Sequence, residues 1–243
     1  MMKGRKPFIV VLAVLAAFMM VLPSGAWANL YVVDFVGFGS GNTGNISYAG
    51  GANPLVATNI QVDRVYGKVI NASGTVVYTS IEYVVSNSDL DFTTGNRISG
   101  WTFGPGGSIT LTGTVNGSIT GALISGTMAA NESGVSAEVI RLYKQLSLCL
   151  ATFQDTKNQA LLNLLFGTSG FATPGSTGWN GGLHFDFYTS TLPPIGSAFE
   201  SSSVGSIDVA NTVVPVPPSV WLLGSGLLGL VGLRRRFSSK QKY

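Results

Sequence analysis

The chain has 243 residues, only 10% of them charged, and a formal net charge of +3 at pH 7. The charges are unevenly distributed, because all 11 acidic residues but only six of the 14 basic residues lie between Asp34 and Asp208. Nucleic-acid binding requires clustered Lys and Arg side chains that neutralise phosphates, so this acidic central part argues against nucleic acid as a partner. Cys149 is the only cysteine, which excludes an internal disulfide.

The N-terminus has the features of a secretory signal peptide. Three basic residues precede an apolar run over 8–22, and the small residues Ala26 and Ala28 follow it at the spacing that signal peptidase recognises. The run of about 15 residues is shorter than the ~20 needed to span a bilayer. The sequence therefore predicts that signal peptidase removes residues 1–28 and that the rest of the chain is exported through the inner membrane.

Residues 29–192 are predicted to form an all-β exported domain. Runs rich in β-branched and aromatic residues, such as LYVVDFVGF from Leu30, alternate with turns rich in Gly and Asn. We expect an antiparallel β-sandwich, jelly-roll-like in its connections, with one short helix. Residues 193–213 are rich in Pro, Ser and small side chains, and we interpret them as a linker with room for one edge strand near 204–209.

The clearest hairpin signal surrounds Asn116 and Gly117. Apolar residues and threonines alternate before this pair, with the period of two that is typical of a half-buried strand. Asn-Gly tolerates the positive φ angles that a two-residue type I′ turn requires. That turn predicts the cross-strand pairs Val115 with Ser118, Leu111 with Ala122, and Ile109 with Ile124.

Two further elements are predicted after this hairpin. Residues 137–153 place apolar side chains at alternate positions, which favours one long strand with Cys149 on the face opposite the leucines. A short helix should follow, since Thr156 and Gln159 have the spacing of a capping box and Gly167 can end it.

The sequence offers little material for catalysis. His184 is the only histidine, and Asp186 and Tyr188 lie with it on the polar face of a predicted strand. The chain contains no Gly-x-Ser-x-Gly motif for a serine nucleophile. Burial in a leucine-rich strand would raise the pKa of Cys149 and make it unreactive. We therefore predict no catalytic residue and no cofactor.

One short stretch resembles a metal-binding loop in its spacing. Asn87, Asp89 and Asp91 occupy alternate positions, as the oxygen ligands of a calcium loop do. Phe92 and Ile98 stand where such a loop has glycine and glutamate. We therefore prefer an ordinary polar turn to a metal site.

A second short apolar segment lies near the C-terminus. Residues 219–233 carry no charge, and as a helix they would measure roughly 22 Å, which is less than a ~30 Å hydrocarbon core. By the positive-inside rule, the arginines that follow would keep the tail at 238–243 in the cytoplasm. The prolines that precede the segment hold the backbone extended, which suits binding by a protease.

Residues 214–237, VPVPPSVWLLGSGLLGLVGLRRRF, resemble the PEP-CTERM sorting signal of bacterial envelope proteins in its VPLPA-like variant. Val216 replaces the usual glutamate, and Pro218 stands where the variant often has alanine, which leaves open the type of enzyme that recognises the signal. The resemblance implies an exosortase as partner, transient anchoring in the inner membrane, and cleavage near the prolines. A plain single-pass anchor is the alternative. The residues that carry the motif are Val214, Pro215, Val216, Pro217, Pro218, Arg234, Arg235 and Arg236.

We therefore predict an exported, exosortase-sorted protein of the cell envelope or the biofilm matrix. Its β domain is predicted to be non-catalytic, with a structural or adhesive role. One alternative is a carbohydrate-binding module for exopolysaccharide, in which the aromatic faces of Trp101, Trp179 and Tyr188 would contact the sugar. The alternative from another class is a hydrolase built around His184.

Overall fold

The computed structural model describes residues 29–37, 44–142, 145–189, 193–201 and 203–213. The predicted signal peptide and the predicted sorting signal, including its apolar segment, lie outside these residues. No helix in the described ranges is long and apolar enough to cross a membrane.

The described residues form strands and one short helix, and every strand pair is antiparallel. This confirms the predicted all-β class with a short helix. The helix, α1, spans Gln159–Phe166. The strands are β1 (Leu30–Gly37), β2 (Asn45–Tyr48), β3 (Pro54–Ile60), β4 (Arg64–Ile70), β5 (Val76–Thr79), β6 (Tyr83–Ser99), β7 (Thr102–Phe103), β8 (Ser108–Val115), β9 (Ile119–Met128), β10 (Ala137–Leu142), β11 (Gln145–Lys157), β12 (Trp179–Tyr188), β13 (Phe199–Ser201) and β14 (Ser203–Val213).

Extended segments that follow each other along the chain are also neighbours in the sheet. Six of these segments are interrupted, and each consists of two consecutive strands. The two-strand segments are β1 with β2, β3 with β4, β5 with β6, β7 with β8, β9 with β10, and β13 with β14. Pairing runs in chain order from the first of these segments to the last. It then returns to the start, because β14 pairs with β1 and β13 pairs with β2. The connections are therefore those of a closed up-and-down meander, and the predicted jelly-roll connections are wrong.

The break between β7 and β8 shows how the chain bends at such an interruption. The sequence Gly-Pro-Gly-Gly fills it, and Gly107 has a φ of +86°, which side chains rarely allow. A Cβ on Gly107 would lie 2.0 Å from the carbonyl oxygen of Thr93 on β6. Only glycine can therefore bring the two backbones this close.

Side chains fill the interior of the closed sheet. In β12, Leu183, Phe185 and Phe187 face inward, as their alternation with polar residues predicts. Phe185 meets Phe92 of β6, on the opposite side of the circuit, with 5.5 Å between the ring centroids. Each fully buried phenylalanine stabilises the fold by about 1.5–3 kcal/mol. Tertiary packing therefore stabilises the domain without a disulfide.

Helix α1 begins two residues later than the capping-box prediction implies. The Asn158 side chain accepts hydrogen bonds from the backbone N–H groups of Ala160 and Leu161, whereas Thr156 still belongs to β11. Asn158 is therefore the N-cap, and Gly167 ends the helix as predicted. The helix packs on β4 and β9 and buries Leu161, Leu162, Leu165 and Phe166.

The hairpin at Asn116 has the predicted turn but not the predicted register. Asn116 and Gly117 both have positive φ, 52° and 65°, and Ser118 N–H donates to Val115 O at 3.2 Å. Beside the turn, the predicted register is wrong by one residue. The strand pairing shifts again between Leu111 and Thr112, and beyond that irregularity the predicted register is wrong by two residues. The observed pairs are Val115 with Ile119, Leu111 with Ile124, and Ile109 with Gly126.

Two predicted boundaries are also wrong. Residues 137–153 form two paired strands, since Leu142 pairs with Gln145 and the chain reverses between them. Residues 193–213 are not a linker, because β14 pairs with both β12 and β1 over most of its length. Inward-facing Ile207 and Val209 make β14 part of the core.

Candidate functional site

The aromatic residues predicted to contact sugar do not form an exposed platform. Trp101 is 6% exposed and packs edge-on against Tyr48 and Phe199. Trp179 is fully buried, and its indole N–H donates to Gly175 O at 2.9 Å. Neither ring therefore offers an exposed face to a sugar, because Trp101 is buried in the turn before β7 and Trp179 at an inward position of β12. Tyr188 faces outward and is 46% exposed.

His184 and Asp186 lie on the outer face of β12, as the alternation predicts. His184 Nε2 is 4.0 Å from Asp186 Oδ1. The pairing of β12 with β14 places His184 directly opposite Asp208, a residue that the sequence interpretation did not connect with it. His184 is thus part of a wider polar face across neighbouring strands.

This face carries a set of residues that we call the carboxyl cluster: Asp34, Tyr66, Lys68 and Asp208. Asp34 on β1 lies directly opposite Tyr66 on β4. Asp208 on β14 is opposite Val36 and therefore one diagonal step from Asp34. Outward positions of β4, β1 and β14 thus bring together residues that are distant in the chain.

Asp34 is the centre of the cluster. Its side chain is only 11% exposed, and its Oδ2 accepts a 2.5 Å hydrogen bond from the Tyr66 hydroxyl. Lys68 Nζ lies 3.5 Å from the same oxygen and 3.3 Å from the Tyr66 hydroxyl. Burial and the hydrogen bond to Asp34 raise the pKa of Tyr66. The network compensates the cost of placing a carboxylate against the sheet.

Asp208 carries the largest protonation effect on this face. Burial and a hydrogen bond with the Asp34 carboxyl raise the pKa of Asp208 to about 6. A neighbouring carboxylate disfavours the charged form of Asp208, because two like charges so close together cannot both ionise cheaply. Nearby His184 and Lys68 oppose the shift by favouring the charged form. The cluster can therefore exchange a proton near neutral pH.

The stretch with calcium-loop spacing, which contains Asp89 and Asp91, lies in β6. Burial, together with the nearby Asp91 carboxyl, raises the pKa of Asp89. The backbone N–H of Asn59 donates to Asp91 Oδ1 at 2.9 Å. Within the described residues, no three His, Cys, Asp or Glu side chains are grouped to hold a metal ion. The backbone of Cys149 lies in β11 opposite Glu138, and its side chain is outside the described part.

A depression of about 440 Å³ lies on the outer face where β9, β11 and β12 are adjacent. We call it the neutral groove. Outward side chains on three strands border it, and its charged lining residue, Asp155, is buried. The lining residues are Ser125, Gly126, Gln154, Asp155, Thr156, Gly178, Trp179 and Asn180.

A buried ion pair lies beneath this groove. Asp155 and Lys157 lie on β11, and their side chains face the interior of the closed sheet. Both side chains are fully buried, and Asp155 Oδ2 contacts Lys157 Nζ. Lys157 Nζ also lies 5.5 Å from the centre of the Trp179 ring. Burial lowers the pKa of Lys157 well below its usual value. Neither charge of the pair is therefore available at the surface of the groove.

Comparisons of the chain with protein-family models, curated proteins and solved structures find no match. The sequence alone predicts neither the carboxyl cluster nor the neutral groove. The outward threonines, amides and Asp34 were visible as polar positions in alternating strands. Their grouping depends on strand pairing between distant segments, which no local pattern reveals.

Proposed function

We propose that this chain is an exported component of the bacterial cell envelope or biofilm matrix, sorted by an exosortase, with a non-catalytic β domain. The proposal depends chiefly on residues 214–237, where prolines, an uncharged segment and three arginines follow each other in the order of a PEP-CTERM signal. The signal-peptide pattern in residues 1–28 supports export. Attachment or release at the outer surface would follow cleavage.

The position of the signal relative to the fold supports this proposal. The last described strand, β14, ends at Val213, and the motif begins at Val214. A cut among the prolines would therefore remove no paired residue of the sheet. The closed sheet could serve as a self-contained structural or adhesive unit after processing.

The arrangement of the polar residues supports a non-catalytic role. The Asp34 carboxylate, which has the acid–base partners of a catalytic group, is already engaged by Tyr66 and Lys68. His184 is on an outward strand face beside Asp186. These contacts are typical of a hydrogen-bond network that stabilises neighbouring strands, and they leave the Asp34 carboxylate occupied.

The test is the identity of the mature C-terminus. The full chain, expressed in a bacterium that carries an exosortase, should give a mature protein that ends within or before residues 214–218 by intact mass and peptide mapping. A Pro215→Ala/Pro217→Ala variant is the matched control and should retain the uncleaved segment. Peptides that cover 219–233 in all of the mature wild-type protein would indicate a plain anchor and overturn the proposal.

A further inference from the structure

The neutral groove is built from outward residues on three adjacent strands. Thr156 and Gln154 of β11 are two residues apart on the same face. Ser125 of β9 lies opposite Thr156, and Asn180 of β12 lies opposite Gln154. Directly opposite residues have Cβ atoms about 5 Å apart, and the two rows are separated by roughly 7 Å. Four polar side chains therefore border an area comparable to one sugar ring.

The depression lies where Gly178 has no side chain. Gly178 immediately precedes β12, and extending the register by one residue places it beside Thr156. A Cβ built on Gly178 would meet nothing within 4 Å, so the space above it is open. The volume of about 440 Å³ falls within the range of small-molecule sites.

The polar groups that border the groove are free to bind a ligand. Across the described residues, no hydrogen-bond partner is found for the Ser125 hydroxyl or for the side-chain amides of Gln154 and Asn180. Thr156 Oγ1 donates to Ser125 O at 3.2 Å and retains acceptor capacity. Amide and hydroxyl groups offer both donors and acceptors, as the hydroxyls of a saccharide require.

We propose that the neutral groove binds an uncharged saccharide, with Gln154 and Asn180 as the principal hydrogen-bonding residues. The proposal deepens the adhesive role and depends on the proposed function only for its biological setting. The groove would recognise the saccharide by hydrogen bonds, because the Trp179 ring is buried and cannot stack on a sugar.

The electrostatics of the groove favour a neutral ligand over a charged one. The ammonium of Lys157 is buried and paired with Asp155, so it offers no charge to an anionic polysaccharide. The exposed lining side chains, Ser125, Gln154, Thr156 and Asn180, carry no charge. An acidic glycan would have to desolvate its carboxylates without gaining an ion pair, which is unfavourable.

The experiment measures binding of the full chain to neutral and anionic glycans by isothermal titration calorimetry. The probes are dextran, cellulose and β-1,3-glucan oligosaccharides, a neutral polysaccharide from the producing bacterium, and alginate oligosaccharides as the anionic class. We expect saturable binding to at least one neutral glycan. A Gln154→Ala/Asn180→Ala variant should bind roughly 30-fold more weakly, since it loses two hydrogen bonds that contribute about 1 kcal/mol each.

The matched control is Thr112→Ala, which removes an outward hydroxyl from β8 outside the groove. It should bind as the wild type does. Ser125→Ala is a second groove variant, used if the double variant loses its cooperative thermal transition. Preference for alginate, equal binding by wild type and groove variants, or no binding to any neutral probe would each overturn the inference. Processing at 214–218 should be unchanged in the groove variants, so this test and that of the proposed function fail independently.

Discussion

Asp34 illustrates how the fold accommodates an acidic side chain that is nearly buried. A lone carboxylate at this position would lose its hydration, but Tyr66 donates to it and Lys68 lies within ion-pair distance. Asp208 supplies a second carboxyl in contact with the first. The proton that Asp208 retains at its raised pKa therefore couples β14 to β1, where the closed sheet joins its last strand to its first.

We predict that this proton makes stability depend on pH. The pKa of Asp208 is about 6 in the folded state and near 3.8 in an unfolded chain, so the folded state binds the proton more tightly. The stabilisation is therefore complete below pH 3.8 and is lost as the pH rises through 6. Solvent screening reduces the effect because Asp208 is exposed.

Chemical denaturation at pH 4.5 and 7.5 measures this effect. Asp208→Asn should flatten the change in unfolding free energy between these pH values and stabilise the fold at pH 7.5. Glu132→Gln is the control, because Glu132 is an exposed residue in the turn between β9 and β10. A pH dependence that is the same in Asp208→Asn and wild type would contradict the assignment. The other titratable or charged groups on this face are Asp34, Tyr66, Lys68, His184 and Asp186.

The buried pair of Asp155 and Lys157 gives a second prediction. Lys157→Met leaves the Asp155 carboxylate buried without a counter-charge, and we expect a loss of about 3–5 kcal/mol in unfolding free energy. Replacing both residues in Asp155→Leu/Lys157→Met should recover most of that loss, because two apolar side chains need no partner. Urea unfolding of the wild type, both single variants and the double variant gives the coupling energy. Additive effects of the two substitutions would show that the side chains do not interact.

Local sequence predicts the elements whose conformation depends on neighbouring residues. The positive φ angles at Asn116 and Gly117 follow from the residue types, and the inward and outward faces of β12 follow from its alternation. The register of the hairpin does not, because the ladder shifts at Leu111 and Thr112. Such an irregularity depends on how the strand bends around the core, which the turn residues do not specify.

The N-terminus of α1 offers a test that separates the observed N-cap, Asn158, from the predicted one, Thr156. Asn158→Ala removes the side chain that accepts from Ala160 N and Leu161 N, so we expect a loss of about 1 kcal/mol in stability. Thr156→Val is the control, since Thr156 is the residue that the capping-box pattern selects and valine suits its position in β11. Thermal unfolding should show the larger loss for Asn158→Ala. The reverse order would favour Thr156 as the cap.

The closure of the sheet is the feature that the sequence interpretation missed most completely. The all-β class follows from strand-like runs and frequent turns, yet the Pro, Ser and small residues of 193–213 are typical of a linker. Closure depends on pairing between β14 and β1, at opposite ends of the domain. The carboxyl cluster was missed for the same reason, because Asp34 and Asp208 meet only through that pairing.

The last prediction tests whether β14 completes the domain. A chain that ends at Pro215 retains every paired residue, whereas one that ends at Leu192 lacks β13 and β14 and exposes the edges of β1 and β12. The shorter chain also loses the buried side chains of Ile207 and Val209, which together contribute about 3–6 kcal/mol. We expect cooperative thermal unfolding for residues 29–215 and none for residues 29–192, measured by circular dichroism. A cooperative transition in the shorter chain would mean that residues 193–213 are dispensable, as the linker interpretation requires. Retention of the transition in the longer chain would show that a cut after Pro215 leaves the β domain folded.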